Sequence, residues 1–160
     1  MSESKISVTF EQDHERLDGL FASFQQQKRQ DFARAKEAFA EFKLGLQRHI
    51  LWEEELLFPK WEENSGMAEG GPTQVMRTEH RLIADCLEAI HQKLQAQNAD
   101  SDKDDQRLLE LLKAHNMKEE RILYPSMDQV ISDEERTMLY RAMRDIPEER
   151  YRACCGSERS

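Results

Sequence analysis

The feature that most constrains this chain is an internal repeat, in which residues 66 positions apart match in kind. The shift relates two histidines, one glutamate and one proline in each half: His14, His49, Glu53 and Pro59 recur as His80, His115, Glu119 and Pro125. The segments HILWEEELLFP (49–59) and HNMKEERILYP (115–125) share a Glu-Glu pair, an apolar pair and an aromatic residue before proline. A repeat of this kind predicts two halves that fold alike.

Apolar residues recur at intervals of three and four along most of the chain, which is typical of amphipathic helices. We predict five helices, at about 9–27, 31–58, 72–96, 103–123 and 132–145. The apolar stripe of the second helix is expected to include Leu56, that of the third Val75 and that of the fourth Ile122.

The ends of these helices carry recognisable signals. Pro59 and Pro125 are expected to end the second and fourth helices, because proline lacks a backbone N–H and clashes with the preceding turn. A capping box begins at Ser132, before the fifth helix. We therefore predict an all-α fold, an up-down-up-down four-helix bundle with a short extra C-terminal helix, over residues 1–146. A polar tail that we expect to be mobile follows over 147–160.

Composition narrows the classes of function. Charged residues make up 34% of the chain and hydrophobic residues 38%, which suits a well-solvated helical globule. The formal net charge of -9 disfavours nucleic acid and membrane surfaces as partners. Without an export signal or a membrane-spanning run, we expect the protein in the cytoplasm. The three cysteines, two of them adjacent at Cys154 and Cys155, do not form a disulfide framework, which fits that compartment.

The repeated histidines and glutamates indicate a metal site. Residues four apart on a helix share a face, so His49 projects with Glu53, and His115 with Glu119. Because all six repeated side chains lie on apolar stripes, a bundle brings four imidazoles and two carboxylates into one core. An ionised carboxylate there costs several kcal/mol unless it is compensated. Two divalent cations compensate it, since they bind neutral imidazole and ionised carboxylate.

A structural alternative stands beside this interpretation. A single histidine on an apolar face is usually a satisfied core residue, and a single HxxxE motif arises easily by chance. In this alternative, the four histidines are buried core residues of a bundle that holds no metal. His91 is such a case, because it lies eleven residues after His80, about 16 Å further along the helix.

The pattern H…HxxxE…H…HxxxE, with Asp13-His14 and Glu79-His80 in the two halves, resembles the hemerythrin-like (HHE cation-binding) family. The resemblance covers roughly residues 9–125. It implies an up-down-up-down four-helix bundle that holds two iron ions joined by an oxo or hydroxo bridge. It further implies that Glu53 and Glu119 bridge the ions and that the histidines complete their coordination. Manganese and zinc also suit such ligands.

Neighbouring positions refine the resemblance. Oxygen-carrying hemerythrins have a fifth histidine where this chain has Ala84, so the site is similar to the branch linked to nitric oxide and iron-centre repair. Tyr124 is either a packing residue or a hydrogen-bond donor just outside the ligands. Glu54 and Glu120 are expected to face outward or to form ion pairs, and a supporting role beside the ligands is the alternative.

Three functions remain open. The first is a module that binds or senses a small diatomic ligand, O₂ or NO, at an open iron position; a small anion is a further candidate partner. The second is a redox enzyme or iron-handling protein, which reduces NO or peroxide with an electron donor, or donates iron to damaged iron–sulfur centres. The third is a purely structural bundle.

Overall fold

The computed structural model describes residues 3–67 and 71–153. Within these two ranges, eight α-helices follow one another: α1 (Ile6–Gln27), α2 (Phe32–Trp52), α3 (Phe58–Ser65), α4 (Pro72–Gln95), α5 (Asp102–Lys118), α6 (Tyr124–Val130), α7 (Asp133–Asp145) and α8 (Glu148–Ala153). Two π-helical turns, π1 (Glu53–Leu57) and π2 (Glu119–Leu123), join α2 to α3 and α5 to α6. The described residues contain no strand, which confirms the predicted all-α bundle.

Four long elements build the bundle: α1, α2 with π1 and α3, α4, and α5 with π2 and α6. Helix α1 packs against α2, and α4 packs against α5. Helix α7 begins at the capping box predicted at Ser132. Helix α8 packs against α2 and lies within the segment predicted as a polar tail. Cys154 and Cys155, with the rest of the predicted tail, lie outside the described residues.

The two prolines do not end their helices as predicted. Each follows a π turn and occupies the second position of a new helical segment, Pro59 in α3 and Pro125 in α6. The backbone N–H of Phe58 donates to the Glu53 carbonyl, and that of Tyr124 to the Glu119 carbonyl, five residues back. Near the start of a helical segment the missing proline N–H costs little, so the chain stays helical past the ring.

The π turns also correct the predicted apolar stripes. A five-residue turn rotates the following side chains relative to α-helical spacing. Leu57 and Leu123 are therefore buried, whereas Leu56 is only partly buried and Ile122 is 63% exposed. Val75 is also exposed, because its neighbour Met76 takes the inward position one turn before His80.

Two apolar clusters pack at the two ends of the bundle. One contains a group of phenylalanines from α1 and α2, namely Phe21, Phe24, Phe39 and Phe42. The other contains residues from α3, α6 and α7, among them Phe58, Trp61, Met127 and Tyr140. Along α1, His14 lies between Phe10 of the second cluster and Leu17 of the first. The repeated histidines therefore lie between two apolar layers.

A buried ion-pair network joins the end of α1 to the start of α5. The Lys28 ammonium, on a side chain only 2% exposed, donates to Ser101 Oγ at 3.0 Å, Asp102 Oδ1 at 2.7 Å and Asp105 Oδ2 at 2.6 Å. Burial raises the pKa of Asp105, and the hydrogen bond from Lys28 opposes that rise. No sequence pattern indicated this pairing, which joins residues 77 positions apart.

We expect Lys28→Ala to lower the free energy of unfolding by about 3–5 kcal/mol, because it leaves the Asp105 carboxylate buried without its cation. Urea unfolding followed by circular dichroism measures the loss. The control is Arg29→Ala, which removes an exposed, solvent-screened pair with Asp102 and should cost much less. Equal effects of the two substitutions would contradict a special role for the buried lysine.

Candidate metal centre

The six repeated side chains converge at one level of the bundle. Helices α1, α2, α4 and α5 each supply one histidine, and the two π turns each begin with one glutamate: His14, His49, His80, His115, Glu53 and Glu119. None of these residues is more than 4% exposed, and the two glutamates are fully buried. The i,i+4 spacing of each HxxxE motif places its histidine one turn before the π turn.

The side chains form two groups with atoms close enough to share a cation. Glu53, His80, His115 and Glu119 form one group, and His14, His49 and Glu119 form the other. The His14 and His49 rings lie 4.7 Å apart, and the His80 and His115 rings 4.8 Å apart. Glu119, however, belongs to both groups rather than to one repeat unit.

Each glutamate presents its two oxygens to different groups. Glu53 Oε1 lies 3.1 Å from His80 Nε2, and its Oε2 lies 3.5 Å from His49 Nε2. Glu119 Oε2 lies 3.3 Å from His115 Nε2, and its Oε1 lies 3.3 Å from His14 Nε2. Carboxylates placed between two positions in this way are suited to bridging a pair of cations.

A cation pair fits the unpartnered atoms of this cluster. Within the described part of the chain, Glu53 Oε1, Glu119 Oε2 and His80 Nε2 are buried and have no hydrogen-bond partner beyond the cluster's own histidine and glutamate side chains. An unpartnered buried carboxylate oxygen is strongly unfavourable. The polar atoms that face the centre of the cluster are imidazole nitrogens and carboxylate oxygens, apart from the Tyr124 hydroxyl. Nitrogen and carboxylate oxygen form the donor set that Fe, Mn and Zn accept.

Each of the four histidines in the cluster bonds through its Nδ1 atom to a carboxylate on the side away from the cluster centre. The Nδ1 atoms bond in four pairs: His14 with Glu120 at 2.6 Å, His49 with Asp13 at 2.9 Å, His80 with Glu54 at 2.6 Å and His115 with Glu79 at 2.8 Å. An Nδ1–H donated to a carboxylate leaves the Nε2 lone pair directed into the cluster, and it fixes the ring orientation. This arrangement is typical of metal-ligating histidines.

The carboxylate partners obey the same repeat, since Asp13 matches Glu79 and Glu54 matches Glu120. Glu54 and Glu120 were expected to face outward or to form ion pairs, with a supporting role beside the ligands as the alternative; both contact ring nitrogens of the cluster and remain about one-third exposed. The second glutamate of each HxxxEE motif and the acidic residue before His14 and His80 are the sequence signals for these contacts. Recurrence in both halves distinguishes them from ordinary surface charges.

We expect Glu54→Gln and Glu120→Gln to weaken metal affinity by about 10- to 100-fold, because they remove the carboxylates that orient His80 and His14. Competition with a coloured chelator measures the affinity. Glu55→Gln is the matched control, since Glu55 follows Glu54 but pairs with Arg150. Unchanged affinity in both variants would contradict the orienting role.

Tyr124 breaks the symmetry of the cluster. Its hydroxyl donates to Glu53 Oε2 at 2.6 Å and lies 3.0 Å from Glu119 Oε1. The same oxygen lies 3.2 Å from His49 Nε2 and 3.4 Å from His14 Nε2. Burial, and then the charges of Glu119 and Glu53, raise the pKa of the Tyr124 phenol well above its usual range. The corresponding residue in the other half is Phe58, which stacks on His80.

The metal-free cluster is held together by charge. Burial lowers the pKa of His49, but the Glu53 charge and hydrogen bonds to Asp13 and Glu53 raise it to about 10. Burial likewise lowers the pKa of His80, whereas hydrogen bonds to Glu53 and Glu54 raise it to about 9. Burial raises the pKa of Glu53, and His49 and further hydrogen bonds lower it well below its usual value.

These shifts predict how the stability of the metal-free protein depends on pH. The histidine contribution is complete below about pH 6.5, the ordinary imidazole pKa, and is lost as the pH rises through 9 to 10. The Glu53 contribution is present above its ordinary pKa of 4.5 and is lost in acid. Denaturant unfolding of chelator-treated protein should therefore show falling stability between pH 6.5 and 10. Rising stability over that range would contradict the charged cluster.

A small cavity lies within the cluster, lined by all six of its side chains. It has about 10 Å³ of free volume, which is room for about one water-sized molecule. Its apolar walls come from Leu17, Phe42, Leu46, Ile50, Ile83 and Leu112. Asp18, Leu112 and Asn116 line both this cavity and an open groove between α1 and α5. Neither Asp18 nor Asn116 was predicted from the sequence, although Asp18 lies four residues after His14 and so shares its face.

Other candidates lie elsewhere. His91 lines a separate groove between α2 and α4, in agreement with a role outside the cluster. Cys86 is buried in the apolar layer of α4. In the described ranges, no helix combines the length and the apolarity that a membrane crossing requires.

A helical bundle that buries four imidazoles around two shared carboxylates defines a class of cation-binding domain. Residues 5–127 match the family model of the hemerythrin HHE cation binding domain. The chain belongs to this family, which confirms the resemblance drawn from its motifs. Comparison with curated proteins and with solved structures found no similar chain.

Proposed function

We propose that this chain is a non-haem di-iron protein that binds or senses O₂ or NO. In this proposal His14 and His49 hold one ion, His80 and His115 hold the other, and Glu53 and Glu119 bridge them. The observation that carries the proposal is the pair of buried groups that share Glu119 around a small cavity. Iron bound there would supply a redox-active centre with a coordination position free for a diatomic ligand.

The protein's own residues set the conditions for such a ligand. Carboxylates hold each imidazole with Nε2 directed inward, so the ligands need little rearrangement on metal binding. The cavity that these side chains line has room for a molecule about the size of water and excludes organic substrates. Its aliphatic and aromatic walls favour a nonpolar diatomic molecule over a hydrated anion.

The outer groove between α1 and α5 offers access to the cavity, because the two share lining residues. Asp18 and Asn116, on α1 and α5, form the polar part of this shared boundary. We propose that O₂ or NO reaches the centre between these two helices. Asn116 is only partly buried, so it offers a position where the passage can be narrowed without altering a proposed ligand.

Anaerobic titration of the iron(II)-loaded protein with O₂ or NO tests this function. We expect new visible absorption bands for each gas, which form more slowly in Asn116→Phe at unchanged iron content. His91→Ala, outside the cluster, should behave like the parent chain. A loaded protein whose spectrum does not respond to either gas would contradict ligand binding.

The same experiment separates the alternative function. Steady consumption of NO or peroxide with an added electron donor would indicate a redox enzyme. Rapid loss of iron to a chelator would indicate an iron-handling protein. Burial of all six side chains and the four carboxylates behind the histidines favour tightly held metal instead.

A further inference from the structure

The two halves of the cluster differ at the aromatic residue five positions after each HxxxE glutamate. One half has Phe58 and the other Tyr124. The Phe58 ring stacks on His80, with centroids 5.9 Å apart and planes inclined by 10°. It therefore places only carbon atoms beside the His80–His115 group. The fully buried Tyr124 places an oxygen beside the His14–His49 group.

The distances around this oxygen are those expected between ligands of one ion. Two ligands about 2.0–2.2 Å from a metal, at angles of about 90–110°, lie roughly 2.8–3.6 Å apart. The Tyr124 oxygen lies 3.2 Å from His49 Nε2, 3.4 Å from His14 Nε2 and 3.0 Å from Glu119 Oε1. His14 Nε2 and Glu119 Oε1, members of the same candidate group, are themselves 3.3 Å apart.

We propose, on the basis of the two-ion centre proposed above, that the Tyr124 hydroxyl oxygen is a further ligand of the ion held by His14 and His49. The O–H bond that now points to Glu53 breaks, its proton passes to solvent, and an oxygen–metal bond forms. The two metal positions are then chemically different. One has a phenolate and the other has only imidazole and carboxylate from the protein.

Charge favours this ligand. Two divalent ions with two carboxylates leave a formal charge of about +2 in an apolar core, which is costly to bury. A phenolate lowers that charge by one. It also adds a hard, anionic oxygen donor at one ion, which favours the trivalent state there. The His80–His115 ion keeps fewer protein ligands, so it is the position that the diatomic ligand of the proposed function would take.

Absorption and resonance Raman spectra of the oxidised, iron-loaded protein test the proposal, with iron content measured in parallel. We expect a visible phenolate-to-iron band that enhances tyrosine ring vibrations. Tyr124→Phe should lose the band and keep about two irons per chain. Phe58→Tyr in the Tyr124→Phe background should restore a phenolate band at the other ion. Tyr140→Phe is the control, because its hydroxyl bonds to Ser4 and Thr9 away from the cluster.

The outcomes distinguish this inference from the function on which it rests. Two irons without tyrosine-enhanced vibrations in the parent protein would overturn the Tyr124 ligand and leave the di-iron function intact. A band that survives Tyr124→Phe would also overturn it, and would leave Tyr124 as a hydrogen-bond donor to Glu53. A parent chain that takes up no iron would overturn both. The parent spectrum decides the matter even if Tyr124→Phe does not fold.

Discussion

Glu119→Gln is expected to reduce the iron content from about two ions per chain to less than one. Glu119 belongs to both ligand groups, and its two oxygens lie 3.3 Å from histidine nitrogens of different pairs. Glutamine keeps the shape of the side chain but removes the charge and one oxygen acceptor. The substitution therefore weakens both positions together, whereas loss of one histidine affects one position directly. Elemental analysis after iron loading measures the result.

Two controls make this prediction specific. Glu53→Gln should have a similar effect, because Glu53 is equally buried and also lies between the two histidine pairs. Glu55→Gln, two residues further on and paired with Arg150, should retain both ions. If Glu119→Gln kept two ions, the carboxylate would not bridge them.

Removal of metal is expected to lower the thermal unfolding midpoint by roughly 10 °C. A ligand present at 1,000 times its dissociation constant stabilises the folded state by about 4 kcal/mol. For a chain of this size each kcal/mol corresponds to about 2–4 °C. Scanning calorimetry of the iron-loaded protein, before and after treatment with a strong chelator, measures the difference.

The Glu119→Gln variant supplies the control for this measurement. Its unfolding midpoint should respond little to iron or chelator, since its ligand set is incomplete. Iron-independent stability of the parent protein would favour a structural bundle with buried, charged histidines. The raised pKa values of His49 and His80 indicate that the buried histidines and carboxylates also compensate one another's charge without metal. The dependence of stability on metal therefore distinguishes a metal site from a structural bundle.

The convergence of the six side chains was predictable from sequence because it depends only on helical spacing and the repeat. HxxxE places a histidine and a glutamate on one face, and the apolar stripes determine that this face is buried. The wrong predictions for Leu56, Ile122 and the two prolines have a common cause in the π turns. Periodicity of three and four cannot reveal a turn with one extra residue, so Leu56 and Ile122 were assigned inward positions that Leu57 and Leu123 occupy.

Contacts between distant elements explain the remaining differences. The carboxylate partners come from other helices, as when Glu54 meets His80 across 26 residues and Glu120 meets His14 across 106. Lys28 and Asp105 pair in the same way. Their residue types were visible in the sequence, but their partners depend on how the helices pack. The sequence indicated that Tyr124 could be a hydrogen-bond donor. Its closeness to two histidines and two glutamates could not be predicted, because it depends on how the helices pack.

The most direct test of the di-iron account is the metal content of the iron-loaded chain, measured together with its absorption spectrum after oxidation. The account predicts about two irons per chain, near-ultraviolet and visible absorption from the oxidised centre, and loss of both in Glu119→Gln. Fewer than about one iron per chain, with a colourless protein of unchanged stability, would contradict it.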